Sequence, residues 1–380
     1  MTPLGVYIHW PYCSRICPYC DFNVLRDRGR RAEQTRLAEA IVADLRAQAA
    51  RIGPRALVSV FFGGGTPSLM EPQWVAEILA TARALWTPDG EVEASLEANP
   101  TDAEAGRFAD FAAAGINRLS LGIQSLDDAA LALLGRNHDA AAARRAAEIA
   151  LAAFPRLSID LIYARPGQTV AAWRAELAAA LELQPEHVSP YQLTIEAGTA
   201  FERAARRGTL VPPDSDVGAD LYEATGDILG EAGFTAYEIS NHARGEAARS
   251  RHNLVYWRGW DYIGAGPGAH GRLTLEGVRR ATVAARAPAD YIACVEQGGT
   301  GVVAEEALTP REAAEERLLM GLRVEEGVGF DELAPLGLHV RAHKVAELRA
   351  MGLLEADVGR LRATSAGRLV LDRLIAELSA

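Results

Sequence analysis

The chain has 380 residues, is 49% hydrophobic and carries a formal net charge of −11, enough for one large barrel-type domain with a small one appended. The acidic balance argues against nucleic-acid binding, which leans on Lys and Arg to neutralise phosphates. No stretch approaches the roughly 18 uncharged apolar residues of a membrane span, and the residues before Cys13 lack the basic and apolar regions of a secretory leader, so the expected location is the cytoplasm.

From Leu4 to about Thr194, short apolar runs alternate with helical stretches. The strand-like runs are Gly5–Trp10, Leu57–Phe62, Val92–Glu97, Arg118–Gln124, Leu157–Tyr163 and His187–Leu193. Between them lie amphipathic stretches: Gln34–Ala50, Gln73–Trp86, Ala103–Ala114, Ala140–Ala153 and Val170–Leu183. Six β-then-α units in series predict a parallel sheet with helices outside. Six falls short of the eight of a closed TIM barrel, so a partial (βα)6 TIM-like barrel is expected over residues 1–200. Residues 201–305 form a less regular extension rich in Gly and aromatic residues. Within it, Cys294 sits in a helical stretch and reads as a small hydrophobe. From 306 to 380 the pattern turns mostly helical, with Pro310–Leu322, Phe330–Leu336 and Val340–Met351. Two short strands (Leu353–Glu355, Arg360–Ala363) and a last helix, Ser365–Leu378, complete a winged-helix-like module. From Leu308 to the end, 12 acidic against 10 basic residues favour a docking or lid role over DNA binding.

Cys13, Cys17 and Cys20 follow the first strand with the spacing C-x3-C-x2-C. Three thiolates can hold three irons of a [4Fe-4S] cluster, and the absence of a fourth local cysteine leaves one iron open to an outside ligand. The alternative is a Cys3His zinc site that includes His9. The run Phe61-Phe62-Gly63-Gly64-Gly65-Thr66-Pro67-Ser68 takes the second strand into three glycines, which allow close approach to the backbone and φ above zero. Glu97 and Gln124 end the third and fourth strands, and Asp160 lies in the fifth. In such sheets the chemistry sits at the C-terminal strand ends, where these residues converge.

Together the cysteine triplet and the glycine run resemble the radical S-adenosylmethionine (SAM) superfamily. Leu121-Gly122-Ile123-Gln124-Ser125, Gly135-Arg136-Asn137-His138, Asp160-Leu161-Ile162-Tyr163, Pro166-Gly167-Gln168-Thr169 and Tyr237-Glu238-Ile239-Ser240-Asn241 are similar to the oxygen-independent coproporphyrinogen III oxidase family and its haem-chaperone relatives. His252-Asn253-Leu254-Val255-Tyr256-Trp257 resembles the HNxxYW signature of the chaperone branch. The resemblance implies that Cys13, Cys17 and Cys20 ligate the cluster while Tyr7 and Tyr19 pack around cluster and cofactor. It implies that Gly64, Gly65, Thr66 and Glu97 line the SAM methionine moiety and that Arg136 meets its carboxylate through a planar guanidinium. Gln124 and Asp160 suit the ribose hydroxyls, and Thr194 the adenine. His252 is the first candidate for a haem ligand, with His270 and His9 as rivals.

Two departures separate the chain from the oxidases themselves. Those carry a cysteine two residues after the third cluster cysteine, where this chain has Phe22, and an extension ahead of the cluster, where it has 12 residues before Cys13. Both point to the chaperone branch: a protein that binds haem and a SAM-ligated cluster and hands haem to a membrane respiratory acceptor, by analogy as a dimer. The competing expectation is a coproporphyrinogen III dehydrogenase that uses a SAM-derived radical. Ala164-Arg165 replaces the Gly-Leu typical of relatives and suggests an extra cation beside the cofactor face.

Overall fold

Runs apolar on both faces form strands buried on both sides, the pattern of a helix-covered parallel sheet. The computed structural model describes residues 1–380, the side chain of Asp102 excepted. Its central strands are β1 (Pro3–Trp10), β2 (Ala56–Gly64), β3 (Thr87–Ala98), β4 (Arg118–Gln124), β5 (Leu157–Tyr163) and β6 (His187–Gln192). Each pairs in parallel with the next, which is the partial (βα)6 barrel expected from the sequence. The helices Arg31–Ile52, Pro72–Leu85, Ala140–Ala153 and Val170–Leu181 connect them. Leu37, Ile41, Val75, Ile78, Ala146 and Trp173 from these helices join one buried core with the strands.

An open barrel leaves two edges of unpaired backbone groups. The chain after residue 200 covers both. On one side β7 (Thr235–Glu238) and β8 (Asn241–Ala243) add antiparallel to β6. On the other, β9 (Asp261–Ala265) pairs in parallel with β1, and β10 (His270–Leu275), β11 (Val278–Ala284) and β12 (Val302–Ala307) continue antiparallel, giving a 12-stranded sheet. Cys294, on the helix Pro288–Gly298, is half-buried against the main core.

The C-terminal residues bury a second hydrophobic cluster around Leu318, Val328, Leu348 and Leu374. The helices Pro310–Gly321, His343–Ala350 and Leu371–Ser379 carry it, with a strand pair Val328–Gly329 and Arg360–Leu361 and a single bridge from Leu354 to Ala363. Arg323 ties this part to the barrel through Glu238 at 2.9 Å, and Arg258 through Glu326.

Three predicted helices differ. The stretch 103–114 breaks into Asp102–Ala105 and Phe108–Ala113. Gly106 weakens it there, and Arg107 turns aside to donate to the carbonyls of Ser68 (3.1 Å) and Met70 (2.7 Å). Phe330–Leu336 reduces to a 3-10 turn, Ala334–Leu336, because Pro335 restricts the residue before it and supplies no N–H. The last helix parts at Val370, whose φ of −120° leaves the helical range. Among the described residues, no helix is long and apolar enough to cross a membrane.

Candidate cofactor site

The cysteine loop leaves β1 and is clamped at its base. Leu25 N–H donates to Pro11 O and Asp27 N–H to Cys13 O, both at 2.7 Å. The glycine run after β2 packs directly beneath: Gly65 N–H donates to Trp10 O and Thr66 N–H to Tyr12 O, both at 2.8 Å. A Cβ on Gly65 would stand 2.7–2.8 Å from backbone atoms of Trp10, Pro11 and Tyr12, so glycine is required for the two loops to meet. Gly64 adds a left-handed φ of 106°.

Above this junction the C-terminal strand ends enclose a cavity of about 460 Å3. Cys13, Cys17, Cys20, Tyr19, Gly64, Gly65, Thr66, Glu97, Gln124, Arg136, Asp160 and Thr194 all line it, so residues spread over some 180 positions meet around one cavity. Tyr7 stands just outside, on the wall of two adjoining cavities, with its hydroxyl 3.0 Å from His9 Nδ1.

Arg136 organises the centre. Its Nη1 lies 3.4 Å from Cys17 Sγ and 3.5 Å from the Tyr19 hydroxyl, while Nη2 donates to Asn99 Oδ1 at 2.5 Å and Gly122 O at 2.9 Å. Its Nε is buried without a partner. Glu97 accepts from Gly64 N–H at 3.3 Å. Burial first, then the nearby Asp160 charge, push its carboxyl up to about 8. Asp160 accepts from Ser120 Oγ at 3.1 Å, and its own carboxyl is raised by burial. Gln124 sits at φ 65°, a left-handed conformation uncommon for such a residue. It turns the chain at the strand end, the kind of backbone irregularity found at ligand sites.

The donor set can be tested against the cofactors of the resemblance. All three thiols are free, and Cys13 is pushed up to about 11 by burial, with the neighbouring Cys20 and Cys17 adding to the shift. Burying several thiols together is costly, and a metal cluster relieves it by taking them as thiolates. Among the described residues no three His, Cys, Asp or Glu converge on a single-ion site. His9, the fourth ligand of the zinc alternative, is instead bonded to Tyr7 and to Asn23 O at 2.9 Å. Three neighbouring free thiols are the kind of donor set that holds a [4Fe-4S] cluster, and His9 is not free to complete a zinc site with them. The orphan Nε of Arg136 fits an anionic ligand group.

Ser120, Asn99 and Tyr191 also line the cavity and escaped the sequence reading. Asn99 follows Glu97 by two residues at the strand end, and that spacing alone could have flagged it. Arg118 opens β4 and is buried, with an unpartnered Nε, on a smaller cavity shared by Glu97, Asp160 and His252.

Two further placements stand out. His252 is buried, with Nδ1 2.9 Å from Ser59 Oγ, Nε2 2.8 Å from the Tyr256 hydroxyl and its ring stacked on Phe61. Burial holds it down to about 3. Arg165 does not face the cofactor cavity, which corrects the expected extra cation. It is buried against Glu176, with Nη1 2.5 Å from Ser125 Oγ. Ala164 holds φ at 56°, which is why glycine suits that position.

An open parallel barrel with three cysteines on the first loop and a glycine run beneath defines a radical SAM protein, and residues 7–178 match the Radical SAM superfamily. Residues 308–370 match the HemN C-terminal domain. The chain is 41% identical over 390 residues to mouse (Mus musculus) mitochondrial radical S-adenosyl methionine domain-containing protein 1, covering 99% of this chain and 87% of that protein. It is 38% identical over 378 residues to the heme chaperone HemW of Mycobacterium tuberculosis, covering 99% and 95%. The chain belongs to this HemW family of radical SAM proteins. In fold it is similar to the coproporphyrinogen III oxidase HemN of Escherichia coli, with a TM-score of 0.80 at 21% identity over all of this chain and 90% of that one.

Proposed function

We propose that this chain is a haem chaperone: it binds haem beside a SAM-ligated [4Fe-4S] cluster and delivers haem to an acceptor, a membrane respiratory protein. The observation that carries the reading is the likeness to HemW of M. tuberculosis along 99% of the chain, C-terminal part included. Cys13, Cys17 and Cys20 would hold the cluster. Gly64, Gly65, Thr66 and Glu97 would receive the SAM methionine moiety, Arg136 its carboxylate, Gln124 and Asp160 the ribose, and Thr194 the adenine. Tyr7 and Tyr19 would flank them. When bound and reduced, the cluster would supply electron-transfer chemistry towards SAM, and this chain's residues would bind and orient the two. Residues 1–200 form the barrel unit in this reading, 201–305 the haem-related extension and 306–380 the docking module. The protein works in the cytoplasm, as a dimer.

Cluster-loaded protein, given reductant, SAM and coproporphyrinogen III under anaerobic conditions, tests this directly. We expect no divinyl product, but transfer of bound haem to an apo-acceptor. Formation of protoporphyrinogen would make the chain a decarboxylating enzyme instead.

A further inference from the structure

Beside the cofactor cavity, and sharing Gly64, Glu97, Asp21 and Phe22 with it, lies a second cavity of about 630 Å3. That volume is ample for a large flat ligand. Its walls combine aromatic faces with His9, Asp21, Asn23, Glu97, His270 and Arg286. Phe22 is 62% exposed, the side chain that stands where the oxidases carry a further cysteine. Tyr256 and Tyr262 meet edge-on behind it, their centroids 4.6 Å apart. His270 opens β10 and Arg286 follows β11, so both reach the cavity from the antiparallel sheet extension.

Of the three histidine candidates for the haem iron, His9 and His270 line this cavity and His252 lines a neighbouring one, and their partners separate them further. His252 has Ser59 on one ring nitrogen and Tyr256 on the other. His9 has Tyr7 and the Asn23 carbonyl. His270 is exposed, and among the described residues neither of its ring nitrogens is hydrogen-bonded within the chain. A haem ligand needs a free imidazole nitrogen with room for a flat macrocycle beside it. Arg286 spends its Nε on Asn23 Oδ1 at 3.2 Å, and its Nη groups make no hydrogen bond to other described residues. A guanidinium with donors to spare pairs with a carboxylate.

We propose that this second cavity is the haem pocket, that His270 supplies the axial ligand to the iron, and that Arg286 pairs with a haem propionate. The proposal rests on the haem-chaperone reading and sharpens it. Haem would then lie one wall away from the cluster and SAM, against Phe22.

Hemin titration of cluster-loaded protein under anaerobic conditions tests it, followed by absorption and electron paramagnetic resonance, with cluster iron and sulfide assayed in every sample. Outer partners of a metal ligand are typically worth about 10–100-fold in affinity, so His270→Ala should cost at least about tenfold. It should also lose the histidine-ligated signature, and added imidazole should restore that signature. Arg286→Gln should bind hemin and hemin dimethyl ester equally, where the parent prefers the free acid. If the parent binds hemin and His270→Ala keeps its affinity and spectrum, or if only His252→Gln loses the signature, the assignment of His270 is overturned while the haem reading stands. A cluster-loaded parent that binds no hemin overturns both.

Discussion

The guanidinium of Arg136 touches the Sγ of Cys17 at 3.4 Å with one nitrogen and grips Asn99 and Gly122 with the other. One side chain from the loop after β4 thus connects the cysteine loop to the ends of β3 and β4, and still has its Nε to offer. Charge-assisted hydrogen bonds are worth about 1.5–3 kcal/mol, which is roughly ten- to a hundredfold in binding. We expect Arg136→Ala to weaken SAM binding by that factor, measured by calorimetry on samples of equal cluster content. Arg136→Lys should recover little, since an ammonium cannot hold the planar fork.

His252 serves the frame in a different way. Glu93, buried at the core, accepts from the N–H groups of Arg251 and His252, both at 3.0 Å, and so fixes the start of the helix Arg251–Trp257. The His252 ring then bridges Ser59 and Tyr256. His252→Ala strands the buried Ser59 hydroxyl and the half-buried Tyr256 hydroxyl, at up to about 1–3 kcal/mol each, and opens a void. Urea titration should report a loss of about 2–4 kcal/mol, and His252→Gln should recover part of it. An unchanged midpoint in the alanine variant would contradict this bridging role.

Much of this was legible beforehand because it is periodic or local. The six strands follow from apolar runs of fixed length, and the cysteine spacing speaks through chemistry alone. What stayed hidden depends on pairing at a distance. That β9 would join the barrel beside β1, some 250 residues earlier, leaves no mark on either run. The same holds for the histidines: nothing in their neighbours along the chain says that His252 has both nitrogens engaged and His270 neither. Arg165 reads as an extra cation beside the cofactor face until Glu176 is found opposite it.

Stability should depend on pH from both sides. Burial lowers His252 to about 3 and His138 and His242 to about 4, against about 6.5 unfolded. Between those values the unfolded chain binds more protons, so stability falls as pH drops below about 6.5, by at most about 1.4 kcal/mol per pH unit for each histidine. Glu97 acts oppositely: raised to about 8, it binds its proton more tightly when folded, and that contribution is lost as pH climbs towards 8. We expect a melting maximum near neutrality. Glu97→Gln, which mimics the protonated acid, should hold its Tm at pH 9 better than the parent, while leaving the acid limb in place.

Arg165 and Glu176 form a buried ion pair in which each is the other's main compensation, with Ser125, Gln168 and the N–H of Leu126 also bonded to it. Removing one partner leaves an uncompensated charge, which typically costs about 3–5 kcal/mol, whereas replacing both by apolar residues of similar size is often neutral or better. Arg165→Leu alone should therefore lower stability by that amount, and Arg165→Leu with Glu176→Leu should return most of it. Ala164→Gly should help independently. A non-glycine residue in the left-handed region costs about 1–2 kcal/mol, and the extra backbone entropy of glycine gives back about 0.5–1, for a net gain near 0.5–1 kcal/mol. Chemical denaturation of the single and double leucine variants decides between a paired and a cofactor-facing Arg165. If Arg165→Leu left stability intact and weakened SAM or haem binding instead, the guanidinium would belong to the site and not to the core.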